Sequence, residues 1–459
     1  MIIKNREWLI NNTSNINQRR SREAVLRLLE GAILSVQPTK LLNKQVRAAG
    51  KFIYISGNKL DTDKINRIIV VGAGKASGYL AEALEEKIGG YIKEGVVAVL
   101  PDTSRYFRTS KIKIVEAAHP VPDVRSVQAA DKILKLVEGA SKDDLVICLF
   151  SGGGSSLLAY PPTGIALDDI KSMSELLLSS GANIVEVNTV RKHLSQIAGG
   201  RLARLAYPAQ IISLIISDVV GDRLDTISSG PTAPDGSSFK DCLDIIGKYD
   251  LNRKTPKPIM DYIEKGVNSI IEETPKIGDP VFKKVKNIII GSNRIALRTI
   301  ISESRKIGLS PLLISSQVEG DAREFGVFLV SIVKEIVESG KPVKRPALVI
   351  CGGETTVTLT KPGLGGRNQT IVLSALTKLG NLDNVTVCCA GTDGIDGVSK
   401  AAGAIADKHT LDKAVKMGLD LNRFLLSFNS NVFFSTVGDE IITGPTGTNV
   451  NDIYLALVI

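Results

Sequence analysis

The chain has 459 residues, 43% of them apolar and 23% charged, with 42 glycines, a composition that excludes a disordered or low-complexity protein and asks for two or three folded domains. Its net charge of +9 comes from 57 Lys and Arg scattered along the sequence; without a basic arm, and with one Trp, it does not describe a nucleic-acid-binding protein. The opening MIIKNREWLINN interrupts with polar side chains the apolar run a signal peptide needs, and no apolar stretch approaches membrane-spanning length, so the expectation is a cytoplasmic protein without membrane partners.

In chain order, apolar runs at 67 to 71, 95 to 100, 111 to 115, 145 to 150 and 211 to 216 alternate with helix-like segments such as 125 to 140. Alternation of this kind is the pattern of an α/β domain with a mainly parallel sheet. A polar, Lys-rich stretch from about 251 to 286 follows, after which runs resume at 287 to 290, 311 to 314, 347 to 350, 385 to 389 and 452 to 458. The restart predicts two α/β domains, 1–280 and 281–459. Cys148, Cys242, Cys351, Cys388 and Cys389 form no CxxC pair and read as buried, reduced thiols.

Ligands of open α/β sheets bind beyond the carboxyl ends of strands, and these strand ends carry a consistent chemistry. The first run continues into Gly72-Ala73-Gly74-Lys75-Ala76-Ser77-Gly78, which offers amides and an ammonium at a helix start, an anion site. The spacing GxGKxxG is neither a Walker A loop nor a strict dinucleotide fingerprint. The run ending at Phe150 leads into Ser151-Gly152-Gly153-Gly154-Ser155-Ser156, and the run ending at Ile216 places Asp218 at its tip, with Ser228-Ser229-Gly230 beyond. In the second half, Cys351-Gly352-Gly353-Glu354 follows one run, Gly365-Gly366-Arg367-Asn368 opens a helix, and Asp393 ends another run. Arg367 repeats the logic of Lys75 with a fork suited to carboxylate or phosphate. Asp218 and Asp393 could hold Mg²⁺ or accept a proton. Glycine turns, cations and carboxylates are what phosphoryl transfer requires, and a cleft between the domains is the expected place for it.

The motifs GAGKA (72–76), HPVPD (119–123), SGGGSSLL (151–158), NTVRKHLS (188–195), SDVVGD (217–222), SSGPT (228–232), GGRNQ (365–369), GTDGIDG (391–397) and TGPTGTNVND (443–452) together resemble the glycerate 2-kinase family, whose C-terminal part is called the MOFRL domain. The resemblance runs from about residue 20 onward. It implies a Rossmann-like N-terminal domain, a MOFRL-type C-terminal domain, and phosphorylation of D-glycerate to 2-phosphoglycerate by ATP with a divalent cation such as Mg²⁺. It further implies that Lys75 and Arg367 contact substrate or the transferring phosphate, and that Ser151, Gly152, Gly153, Gly154 and Ser155 form a cradle beside Gly72 and Gly74. Gly365, Gly366 and Asn368 complete the Arg367 loop, and Asn188 and Arg191 are expected to reach a ligand. Asp218 and Asp393 are carried as metal or base candidates. Two departures stand out: Ala198 where many members carry Lys, and Asn429-Ser430-Asn431 where Asn-Asp-Ser is usual. A homodimer is the expected assembly.

His119 and His193 read as structural histidines, and three histidines without ligand spacing argue against zinc. The main alternative is an NAD(P)H-dependent reductase of hydroxypyruvate or tartronate semialdehyde, against which stand the glycine spacing and the lack of a ribose carboxylate at Glu94. A sensor without catalysis would call for an added DNA-binding or interaction segment, and none is visible.

Overall fold

The structure, a computed structural model, describes residues 1–459. Two compact units emerge, Pro38–Ile290 and a second composed of Met1–Gln37 with Gly291–Ile459.

The unit Pro38–Ile290 begins with a small antiparallel sheet of β1 (Val46–Ala49), β2 (Phe52–Ile55) and β3 (Asn58–Asp61). Its main sheet contains β4 (Ile68–Ala73), β5 (Ile92–Val99), β6 (Ile112–Glu116), β7 (Leu145–Phe150), β8 (Gln210–Ile216) and β9 (Val285–Gly291), in the order β6-β5-β4-β7-β8-β9. The paired neighbours β6-β5, β5-β4, β4-β7 and β7-β8 are parallel. Every residue of the central β4 and β7 is buried, as continuous apolar runs covered on both faces should be. A separate helical cluster closes around Met173, Leu177, Val187, Val190, Phe239 and Ile246.

The other unit contains β10 (Ser310–Val318), β11 (Ala347–Gly353), β12 (Val385–Gly391), β13 (Gly403–Asp407), β14 (Glu440–Ile441) and β15 (Asp452–Val458), ordered β10-β11-β15-β12-β13-β14. Here the expectation of a mainly parallel sheet needs correction, because β10 and β11 alone pair in parallel, while β15 lies antiparallel between β11 and β12 and β13 and β14 pair antiparallel too. The short segment from Thr392 to Ala402 that links β12 to β13 carries no helix. A parallel pairing needs a longer crossover connection, so the chain turns back on itself instead.

The domain limits also differ from those expected. The run at 287 to 290 belongs to β9, the last strand of the first sheet, so the division falls at Ile290/Gly291. Residues 1–37 join the C-terminal unit because the helix Ile16–Ser35 buries Arg22 completely there, paired with Asp407 at 2.7 Å and Asp439 at 2.6 Å. An unpaired guanidinium at that depth would be strongly destabilising, so these bonds tie the segment down. All five cysteines are free and buried, and no helix is long and apolar enough to cross a membrane.

Candidate functional site

In the unit Pro38–Ile290 the loops beyond β4, β7 and β8 are bonded to one another. The Lys75 amide donates to the Gly152 carbonyl at 2.8 Å, and the Ala76 amide to the Ser151 hydroxyl at 2.9 Å. Gly74, at φ +144°, turns its bare face to Ser151, and Gly153, at φ +85°, faces the His119 ring and the Lys75 stem; a side chain at either would combine a disfavoured backbone with a clash. Gly152 lies against the Asp218 carboxylate and Gly154 against Ser228. The Ser228 hydroxyl donates to the Ser151 carbonyl at 3.0 Å, and Ser155 and Ser229 share a hydroxyl contact at 2.7 Å. Ser228 and Ser229 both take positive φ, 51° and 61°, a strained turn held by these bonds.

The result is a half-buried Lys75 whose stem lies on Gly153, the neighbour of the Gly152 that faces Asp218. His119, read from sequence as structural, stands beside it. Burial, and then the Lys75 charge, hold the His119 imidazole below the ordinary histidine range, so the ring is neutral at neutral pH. His193 is structural as expected, with Nδ1 on the Thr189 carbonyl and Nε2 on Glu273, both at 2.8 Å.

The expected cradle residues separate into two roles. Ser151 is buried, and its hydroxyl is engaged by Ala76 and Ser77, so it positions the loop. Gly72 is closed off by the Leu149 carbonyl. Ser155 remains exposed and lines a cavity with Ser156 and Arg191. Asn188 is half-buried on the same helix as Arg191, Ile184–His193.

The dinucleotide alternative loses its geometry. The space beside Gly74 that a pyrophosphate would need is filled by Ser151, and Gly78 packs on Phe107. Glu94 pairs with Arg67 at 4.0 Å at the opposite end of β4, in register with Ile69.

In the second unit, Arg367 opens the helix Arg367–Leu379. Its Nε and Nη2 donate to Asp452, and its Nη1 donates to Glu354 at 2.7 Å. Burial alone would lower the Arg367 pKa, but the Asp452 and Glu354 carboxylates outweigh it and raise it. The topology explains this: β15 runs antiparallel, so its first residue, Asp452, stands opposite both Gly353 and Gly391, at the carboxyl ends of β11 and β12. Tyr454 donates to Asp452 at 3.2 Å. Asp393, just past Gly391, accepts from the Ile395 amide at 3.1 Å.

The start of the Arg367 helix is not open to an external anion. Asp396 accepts from the amides of Asn368 and Gln369 at 2.9 and 2.8 Å and from both their side chains. Burial pushes Asp396 up to about 6, still ionised at neutral pH, where it complements the helix dipole. Gly366 packs on Asp396, and Gly365 on Ser430 of the departing Asn-Ser-Asn segment. Asn368, Gly365 and Gly366 therefore build the loop. Asp452 closes the TGPTGTNVND motif, but no role for it is evident in the sequence because it begins a strand instead of following one.

No three His, Cys, Asp or Glu side chains converge into a metal-binding group. Magnesium commonly takes only one or two protein carboxylates and draws its other ligands from phosphate and water, and Asp218 beside the Gly152 backbone fits that mode.

The family described as "Domain of unknown function (DUF4147)" matches residues 24–264, and the MOFRL family matches residues 347–452. The chain is 39% identical over 438 residues to a protein of Pyrococcus horikoshii named glycerate 2-kinase, covering 95% of this chain and 97% of that protein. It is 38% identical over 447 residues to an Agrobacterium vitis protein named "putative hydroxypyruvate reductase", covering 96% and 95% of the two chains. The crystal structure of a glycerate kinase from Thermotoga maritima superposes with a TM-score of 0.85 at 36% identity, covering 95% of this chain and 99% of that one.

Proposed function

Because the chain belongs to the glycerate kinase family that joins a DUF4147 region to a MOFRL region, we propose that it transfers the γ-phosphoryl group of ATP to the 2-hydroxyl of D-glycerate. The observation that carries the chemistry is Lys75: a half-buried lysine beside the glycine loop, fixed through its own amide to the Gly152 carbonyl. A cation held in place like this stabilises negative charge as it develops on a transferring phosphoryl group. Arg367, already neutralised by Asp452 and Glu354, orients the acid substrate through its remaining N–H groups.

Asp218 is assigned to a divalent cation, with Asp393 the second candidate; when bound, the ion would screen the charge of the phosphates. The attacking hydroxyl keeps its proton until late in a loose transition state, so a strong base is not required. Neutral His119 is available to receive that proton. The filled glycine loop and the misplaced Glu94 speak against the reductase reading.

The test is ³¹P NMR of the full chain with ATP, Mg²⁺ and D-glycerate. Phosphate on the secondary hydroxyl is the expected product. Phosphate on the primary hydroxyl would overturn the regiochemistry, and oxidation of NAD(P)H with hydroxypyruvate, without phosphoryl transfer, would overturn the kinase.

A further inference from the structure

Beside the Lys75 loops, and wholly within the unit Pro38–Ile290, lies a cavity of about 190 Å³. Its walls include Val121, Leu158, Leu194, Ile197 and Pro231, and Ala198 contributes a side chain that leaves the space open. A three-carbon acid, polar at every carbon, would leave such walls unmatched, whereas a planar heterocyclic base covers apolar surface and still offers edges to hydroxyls. Ser155 and Ser156 belong both to the cavity and to the loop that carries Gly153 against Lys75, so a ligand seated here extends naturally toward the ammonium.

The charged side chains of the cavity are Lys171, Glu175 and Arg191. Lys171 is paired with Asp168 at 3.1 Å. Arg191 donates from Nε to the Ser174 hydroxyl at 3.1 Å, and burial lowers its pKa. A partly desolvated guanidinium with free N–H groups calls for an anionic or π-rich ligand.

We propose that this cavity holds the nucleoside of the phosphoryl donor, with the base against the apolar walls and Arg191 at the first phosphate of the chain that leads to Lys75. The proposal rests on the kinase reading and adds the location of donor recognition to it.

Two variants of the full-length protein test it: Ala198→Leu, which fills the cavity, and Arg191→Gln, which removes the cation without touching the core. Steady-state KM values for ATP and for D-glycerate are measured with melting temperature as a control, and ADP binding is followed by calorimetry. Both variants are expected to raise KM for ATP and weaken ADP binding roughly tenfold, with KM for D-glycerate changed less than about twofold. A rise in KM for D-glycerate alone would show that the cavity holds the acid, and unchanged constants for both substrates would remove it from the site; either overturns the proposal. Should the wild-type protein bind ADP in a cavity-dependent way yet transfer no phosphate to D-glycerate, the acceptor assignment fails while the nucleoside site stands.

Discussion

Lys75 and Arg367 look alike in sequence, each a cation after a glycine turn at the start of a helix, yet the fold treats them oppositely. Lys75 is placed by backbone bonds and by glycines packed face to face with Ser151 and His119. Arg367 is clasped by Asp452 and Glu354 before any ligand arrives. The contrast separates two uses of positive charge. A cation placed by the backbone suits charge that develops during reaction, whereas one clasped by two carboxylates suits the holding of a pre-existing anion in a fixed pose. The first would act mainly on kcat and the second mainly on KM and on stability.

The largest effect should come from removing the Lys75 charge. Lys75→Ala is expected to lower kcat by roughly 10² or more, with little change in melting temperature because the backbone bond to Gly152 is kept; near-normal turnover in a coupled ADP-release assay would end its assigned role. Asp452→Asn should act differently. Breaking this largely buried contact should destabilise the protein by about 1–3 kcal/mol and raise KM for D-glycerate more than it lowers kcat. Chemical denaturation and kinetics on the same preparation check this, and a loss of kcat as large as that of Lys75→Ala at unchanged stability would place Asp452 on the reactants instead.

The smallest expected effect concerns pH. The folded pKa of His119 is depressed, so the unfolded chain binds its proton first as pH falls below about 6.5. Its contribution to stability is therefore present at neutral pH and is lost as pH falls toward the folded value. The same protonation would set a second cation against Lys75. The acid limb of kcat/KM is thus expected to lie below about pH 6.5 by the depression itself, and His119→Asn should flatten it while changing the rate at neutral pH by roughly an order of magnitude at most. An acid limb identical in the variant would assign that titration to another group.

Much of the first unit was legible because its strands are buried on both faces and stand out as unbroken apolar runs, as β4 and β7 show. The glycine loops were legible for the same reason, since they follow those runs directly. What sequence could not show was which neighbour fills each glycine's open face: Ser151, His119, Asp218 and Asp396 come from distant parts of the chain. Nor could it show direction. The run at 452 to 458 reads the same whichever way the strand points, and only its antiparallel insertion brings Asp452 to Arg367. β13, with the sequence GAIAD, and the two-residue β14 carry too little apolar pattern to register. The placement of residues 1–37 rests on contacts with remote segments, among them the buried Arg22 meeting Asp407 and Asp439, 385 and 417 positions away.

That last pairing bears on how the protein is made. The unit Pro38–Ile290 is continuous and can fold as soon as it leaves the ribosome. The other is split around it, with the helix Ile16–Ser35 translated before it and its partner carboxylates, followed by the β15 strand, after it. Arg22 must therefore wait, unpaired, until Asp407 and Asp439 have been made, and Arg367 gains Asp452 later still. The half of the molecule that clasps its cation is thus the half that matures last, and translation itself sets the order in which the two cations come into position.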